Sequence, residues 1–257
     1  MAECFTQRPH GVRFDWGPAG AAALASSTSC LVVVDVLSFT TAVTVAAEAG
    51  TQVYPYAWAD ESAADFAHRN QAQLAVGRRA VSAATPWSLS PAALRRAPFT
   101  PRLVLPSPNG SAICAAASGS AATVVAACLR NAHAVGRFLS DHGLGTPARP
   151  VAVIAAGERW PDGSLRPALE DLLGAGAVIA ALHQPGGTAL SPEAETARAC
   201  LAATADIAAA VTHSVSGREL TGNGFGDDIA IAVETDACQH VPVLTGHAFT
   251  AAGQPNL

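Results

Sequence analysis

Residues 30–36, Cys-Leu-Val-Val-Val-Asp-Val, form an unbroken apolar and mostly β-branched run that ends beside a carboxylate. A strand without polar alternation has to be covered on both faces, which restricts the chain to architectures with a sheet held between two layers of helix. The next segment agrees. Ser38, Phe39, Thr40 and Thr41 open an Ala-rich stretch that closes at Gly50, the pattern of a helix with glycine at its C-terminal end.

The same β-loop-α unit recurs along the chain. Strand character is predicted at 51–56, 102–105, 123–127 and 151–155, and in the tail at 229–233 and 241–244. Helices are predicted at 60–73, 112–118, 131–142 and 168–182, and continuously over 192–211. Residues 74–101 are irregular, with a short helix over 90–95. The fold class expected is α/β: a three-layer α/β/α sandwich with a mainly parallel, mixed sheet. The 257 residues suit a single large domain, which should bury roughly three quarters of its unfolded surface. An echo between 31–50 and 151–176 suggests two similar halves meeting near 143–150, or simply two ordinary βα units.

Charge and composition remove several function classes. The formal net charge is −5 and no basic stripe occurs, so nucleic acid is not an expected partner. All fifteen basic residues are Arg, so mechanisms that need a lysine amine are excluded; an anion must be met by Arg, backbone N–H, hydroxyls or a metal ion. No apolar run reaches the ~20 residues of a membrane span. The six scattered cysteines include no C-x-x-C pair, and the N-terminal residues lack a signal-peptide core. A soluble cytoplasmic protein with reduced thiols is expected.

In α/β sheets, ligands bind beyond the carboxyl ends of the strands. Three predicted exits carry polar clusters. At the first, Asp35 stands with Ser38, Thr40 and Thr41, suited either to a divalent metal with an anion or to capping a helix. At the second, Asn109, Gly110 and Ser111 form a turn whose N–H groups can cradle an anion at a helix start, or serve as a turn only. The third runs from Glu158 through Arg166 to Glu170 and Asp171 at the head of an apolar helix, where two acids exceed what capping needs and suggest metal ligation or acid/base work. The pairs Arg78/Arg79 and Arg95/Arg96 fit anion clamps or solvated surface. No zinc-type His pair and no G-x-S-x-G elbow is present.

Taken in order, DVLSFTT, SPNGS and AGERWPDGSLRPALEDLLGAG, with the tail HSVSGRELTGNGFGDDIAIAV, resemble the 2-phosphosulfolactate phosphatase (ComB) family over nearly the whole chain. The resemblance implies Mg²⁺-dependent hydrolysis of 2-phospho-3-sulfolactate to sulfolactate and phosphate, a step toward coenzyme M. Carried over by position, Asp35, Glu170 and Asp171 would be catalytic and, with Glu158, would hold Mg²⁺. Thr40, Thr41, Asn109, Gly110, Ser111, Arg166 and Arg218 would bind the small anionic phosphorylated substrate, with Gly217 and Asp228 also matching the tail. The family's Arg-Ala in the first motif is Ser38-Phe39 here, which removes a cation. Another phosphorylated hydroxy acid as substrate, a non-catalytic anion-binding role, Asp35 as nucleophile and assembly into a homo-oligomer all stay open.

Overall fold

Along the first buried run the side chains divide strictly by parity. Cys30, Val32 and Val34 join one apolar core, while Leu31 and Val33 join another. Period-two alternation in a strand buried on both sides accounts for this, and it places one core on each face of the sheet. The computed structural model describes residues 3–57, 61–117, 122–183 and 189–252.

The strands are β1 (Val12–Trp16), β2 (Cys30–Val34), β3 (Gln52–Tyr56), β4 (Gln73–Leu74), β5 (Arg102–Pro106), β6 (Thr123–Ala127), β7 (Val151–Ala155), β8 (Glu158–Arg159), β9 (Leu165–Arg166), β10 (Pro242–Thr245) and β11 (Ala248–Ala251). The helices are α1 (Gly17–Ala25), α2 (Phe39–Glu48), α3 (Glu61–Arg69), α4 (Pro91–Arg96), α5 (Gly110–Ala117), α6 (Ala132–Asp141), α7 (Leu169–Leu182), α8 (Pro192–Ala203), α9 (Ile207–His213), α10 (Val215–Gly222) and α11 (Gly226–Ala232). Among the described residues, nine strands form one sheet in the order β1-β7-β2-β6-β10-β11-β3-β5-β4, and β8 and β9 form a separate hairpin. The block β1-β7-β2-β6 is parallel, as is β3-β5-β4; the β10-β11 hairpin joins them through antiparallel pairings. The fold is the expected α/β sandwich. Residues 143–150 lead directly into β7, which lies between β1 and β2, so strands from both sides of that segment share one sheet.

Several elements differ from their sequence-based expectation. Of the segment 229–233, residues 229–232 lie in α11 and Val233 is its C-cap: Ile229 and Ala232, three apart, enter the large core, while Ile231 packs with Val45 and Ala92. Five apolar residues cannot separate the two periods, and tertiary placement decides between them. The continuous helix over 192–211 is broken into α8 and α9, because Asp206 accepts the Ala209 N–H at 2.8 Å and starts a new helix. The helix expected over 60–73 ends at Arg69, and Gln73 and Leu74 join the sheet; Asp60 and Ser118 lie outside the described residues. The short helix α4 starts as expected, with Ser90 accepting the Ala93 N–H. None of the helices among the described residues is long and apolar enough to cross a membrane.

Small residues let α7 approach both the sheet and α8. A Cβ on Gly174 would lie 2.7 Å from a Val36 methyl, and one on Gly176 would lie 2.4 Å from the Ala197 carbonyl oxygen. The first neighbour is a side chain and the second is backbone, so Gly176 tolerates less. Gly176→Ala gains up to ~1 kcal/mol of helix propensity but forces overpacking worth about 1–3 kcal/mol. A lower midpoint in denaturant titration is therefore expected; an unchanged or raised midpoint would contradict this packing.

Candidate functional site

The register Val34↔Ala127 and Val34↔Ala155 brings the ends of β2, β6 and β7 side by side. Just past β2, Asp35 is buried, and its two oxygens accept the Phe39 N–H at 3.2 Å and the Gly110 N–H at 2.8 Å. The loop after β5 is thereby fastened to the loop after β2. A Cβ on Gly110 would stand 2.3 Å from the Phe39 ring and 2.9 Å from the Asp35 carboxylate, which explains why glycine is needed at this approach.

Asp171, in the first turn of α7, fastens the third loop. Its oxygens accept the Val36 N–H at 2.7 Å and the Gly157 N–H at 2.8 Å, bridging the exits of β2 and β7. Gly157 has φ of +65°, and a Cβ there would stand 2.9 Å from the Arg166 carbonyl oxygen. Neither carboxylate bond goes to α7 itself, so Asp171 is not a cap of its own helix. Beside it, Glu170 is 1% exposed and its Oε2 has no hydrogen-bond partner among the described residues. Glu158, on β8, lines a cavity of about 520 Å³ and accepts a hydrogen bond from Asn109 Nδ2 at 2.8 Å.

The polar groups expected to cradle an anion are placed differently. The Gly110 N–H is spent on Asp35, so the protein's own carboxylate occupies the head of α5. Thr40 and Thr41 are fully buried and donate to the Asp35 and Val36 carbonyl oxygens at 2.7 and 2.8 Å. They shape the turn after β2 rather than face the cavity. Ser111 is buried, its Oγ has no hydrogen-bond partner among the described residues, and it borders a second, more apolar cavity with Tyr56, Phe66 and Cys114. Arg166 donates to Ser216 Oγ at 3.2 Å and lies over the Trp160 ring. On α10, Ser216, Glu219 and Leu220 line the 520 Å³ cavity at helical spacing, joined by the C-cap Asn223, whereas Arg218 is exposed on another flank. The orientation of α10 is held at Gly217, where a Cβ would meet the Val211 carbonyl oxygen at 2.1 Å.

Arg78 is the residue whose place sequence reasoning could not find. Its Nη2 donates to Ser38 Oγ at 2.8 Å, its Nε pairs with Asp228 Oδ2 at 3.0 Å, and it lies over the Phe225 ring. Asp228, buried, also accepts from Ser90 Oγ and the Ala92 N–H. A guanidinium therefore stands beside Ser38 although residue 38 itself is not basic. The only hint in the sequence is the absent cation at that position, since no local pattern links two residues 40 apart.

Charge sets the chemistry. Asp35, Glu158, Glu170, Asp171 and Asp228 are gathered around two guanidinium groups, Arg78 and Arg166, an excess of acid. Burial pushes Asp35 up to about 6 and Glu158 up to about 7, and holds Asp171 well above the usual carboxylate range. Among the described residues, no three His, Cys, Asp or Glu side chains stand where they could enclose a metal ion by themselves. Mg²⁺ does not require that, because it commonly uses one or two carboxylates with water and substrate phosphate. The unpartnered Glu170 oxygen and the acid excess fit such an ion.

Asp35 and Glu158 bind protons more tightly in the folded state, so their contribution to stability is complete below about pH 4 and is lost as pH rises through about 6 and 7. Without divalent metal, the melting temperature should fall between pH 5 and 8. An Asp35→Asn/Glu158→Gln variant should show a shallower fall; an equal slope in both proteins would contradict the assignment.

No curated protein matches the chain. The 2-phosphosulpholactate phosphatase family does, over residues 20–247. That span runs from within α1 to the turn between β10 and β11 and so takes in every loop that builds the site, and the chain belongs to the 2-phosphosulpholactate phosphatase family.

Proposed function

We propose that the protein is a Mg²⁺-dependent phosphoric monoester hydrolase acting on a small phosphorylated hydroxy acid of the 2-phosphosulfolactate type. The observation that carries this reading is the buried, unpartnered Glu170 oxygen beside Asp35 within an excess of carboxylates. Bringing a phosphate dianion among these buried carboxyl groups is costly without a compensating cation. Glu170 and Asp35 would hold the ion, with Glu158 at the cavity wall. When bound, Mg²⁺ supplies Lewis-acid stabilisation of phosphoryl oxygens.

The chain's own groups divide the remaining work. Glu158, pushed up to about 7 by burial, can hold a proton near neutral pH and deliver it to the departing ester oxygen. Asn109 orients that carboxyl through its 2.8 Å hydrogen bond. Each Asp35 oxygen accepts one backbone N–H and keeps a further lone pair for an ion, whereas as a nucleophile Asp35 would have to leave the Phe39 or Gly110 N–H, which favours water as the attacking group. Asp171 positions the β2 and β7 exits rather than touching substrate.

Two measurements test this. Glu170→Gln and Asp35→Asn should each lower phosphate release from 2-phosphosulfolactate by at least ~10²-fold with far-UV circular dichroism unchanged; retained turnover in both rejects the site. Added Mg²⁺ should raise the melting temperature at pH 7.5 in the unaltered protein and much less in Glu170→Gln. An equal shift in both would remove Glu170 from the metal site.

A further inference from the structure

The 520 Å³ cavity has a wall that hydrolysis of a phosphate ester does not by itself require. Arg78 lines it, with its side chain 20% exposed, and is fixed from three directions: Asp228 on Nε, Ser38 on Nη2 and the Phe225 ring against its face. Nη1 has no partner among the described residues. If Arg78 served only to neutralise Asp228, one N–H would suffice, because Asp228 already accepts from Ser90 Oγ and the Ala92 N–H. Instead the guanidinium is turned so that a second N–H reaches Ser38, next to the residue whose N–H binds Asp35, while Arg78 stays among the residues that line the cavity. A guanidinium whose rotamer freedom is already lost binds an oxyanion at low entropic cost.

We propose that Arg78 is the specificity-determining residue of the site: it binds a second oxyanion substituent of the substrate, a sulfonate or a carboxylate, at the cavity wall away from the phosphoryl group. This rests on the hydrolase reading given above. Asp228 and Ser38 act as positioning residues that hold the guanidinium plane. Arg79, exposed and bonded to Asn223 Oδ1 at 2.7 Å, lies farther out on the same wall.

The test compares three esters with Mg²⁺ present: 2-phosphosulfolactate, 2-phospholactate, which lacks the sulfonate, and glycerol 2-phosphate, which lacks a second anion altogether. Arg78→Gln should raise KM for 2-phosphosulfolactate by about 30-fold while kcat changes by less than about 3-fold, with glycerol 2-phosphate nearly unaffected. A loss confined to 2-phosphosulfolactate assigns Arg78 to the sulfonate, and a loss shared with 2-phospholactate assigns it to the carboxylate. An equal loss on all three esters overturns the proposal in favour of a purely structural ion pair. Ser38→Ala removes only the brace and should move the same KM upward by about 3-fold, which keeps the test open if Arg78→Gln does not fold; no change in Ser38→Ala would then overturn it. If the unaltered protein hydrolyses none of the esters, the hydrolase reading fails, and calorimetry with 3-sulfolactate and with lactate plus Mg²⁺ decides the inference separately. Binding of either that weakens at least ~10-fold in Arg78→Gln, or about 3-fold in Ser38→Ala, supports it, and absent or unaltered binding of both overturns it.

Discussion

Two buried aspartates convert a set of strand ends into a site. Asp171 reaches from α7 to the backbone N–H groups just after β2 and β7, and Asp35 reaches from the end of β2 to the heads of α2 and α5. Each carboxylate has lost its water, which costs several kcal/mol, and each recovers about 1.5–3 kcal/mol per charge-assisted hydrogen bond. The balance is close, so removing a partner leaves a buried charge without compensation. Loops that would otherwise be independent are therefore held in one arrangement by groups whose ionisation is itself disfavoured.

That arrangement explains how acid chemistry and scaffolding are divided among neighbouring residues. Asp171 has both oxygens engaged by backbone and acts as a fastener, while the adjacent Glu170 has a buried oxygen with no donor to it among the described residues. The two are adjacent on α7, and 100° of helix rotation per residue sends their side chains to different surroundings. Glu158 differs again. It stands on a short hairpin, only partly buried, and Asn109 holds it from the loop after β5. The same side-chain chemistry thus meets two backbone N–H groups at Asp171, a side-chain amide at Glu158 and, at Glu170 Oε2, no partner among the described residues.

On the basic side the logic is similar. With no lysine in the chain, every side-chain cation that keeps its charge across the pH range is a guanidinium, and its planar donors allow a single Arg to hold a buried acid and still present donors elsewhere. Arg130 uses this capacity structurally: it is buried and bonded to Thr44, Glu48 and Glu234. Arg78 uses it at the cavity, where Asp228 and Ser38 fix two of its nitrogens.

Local periodicity was enough to read the sandwich from the chain, because burial on both faces leaves its mark within a few residues: the all-apolar β2 and β7 and the Gly- and Ala-rich α7 are recognisable alone. The acids of the site were legible too, as polar residues at strand exits with no capping task large enough to absorb them. Which groups remain available for a ligand was not. The Asn109-Gly110 turn reads as an anion cradle until Asp35, 75 residues away, is seen to occupy it, and Thr40 and Thr41 read as substrate ligands until their hydroxyls are seen to close on the strand they follow. Arg78 lies in a stretch without pattern and gains its place only through Ser38 and Asp228, 40 and 150 residues distant. The sequence by itself determined the layers and the acid content of the site. Only the tertiary structure decided which donors and acceptors are already satisfied, because a hydrogen-bonding group's availability depends on partners that chain-local patterns do not encode.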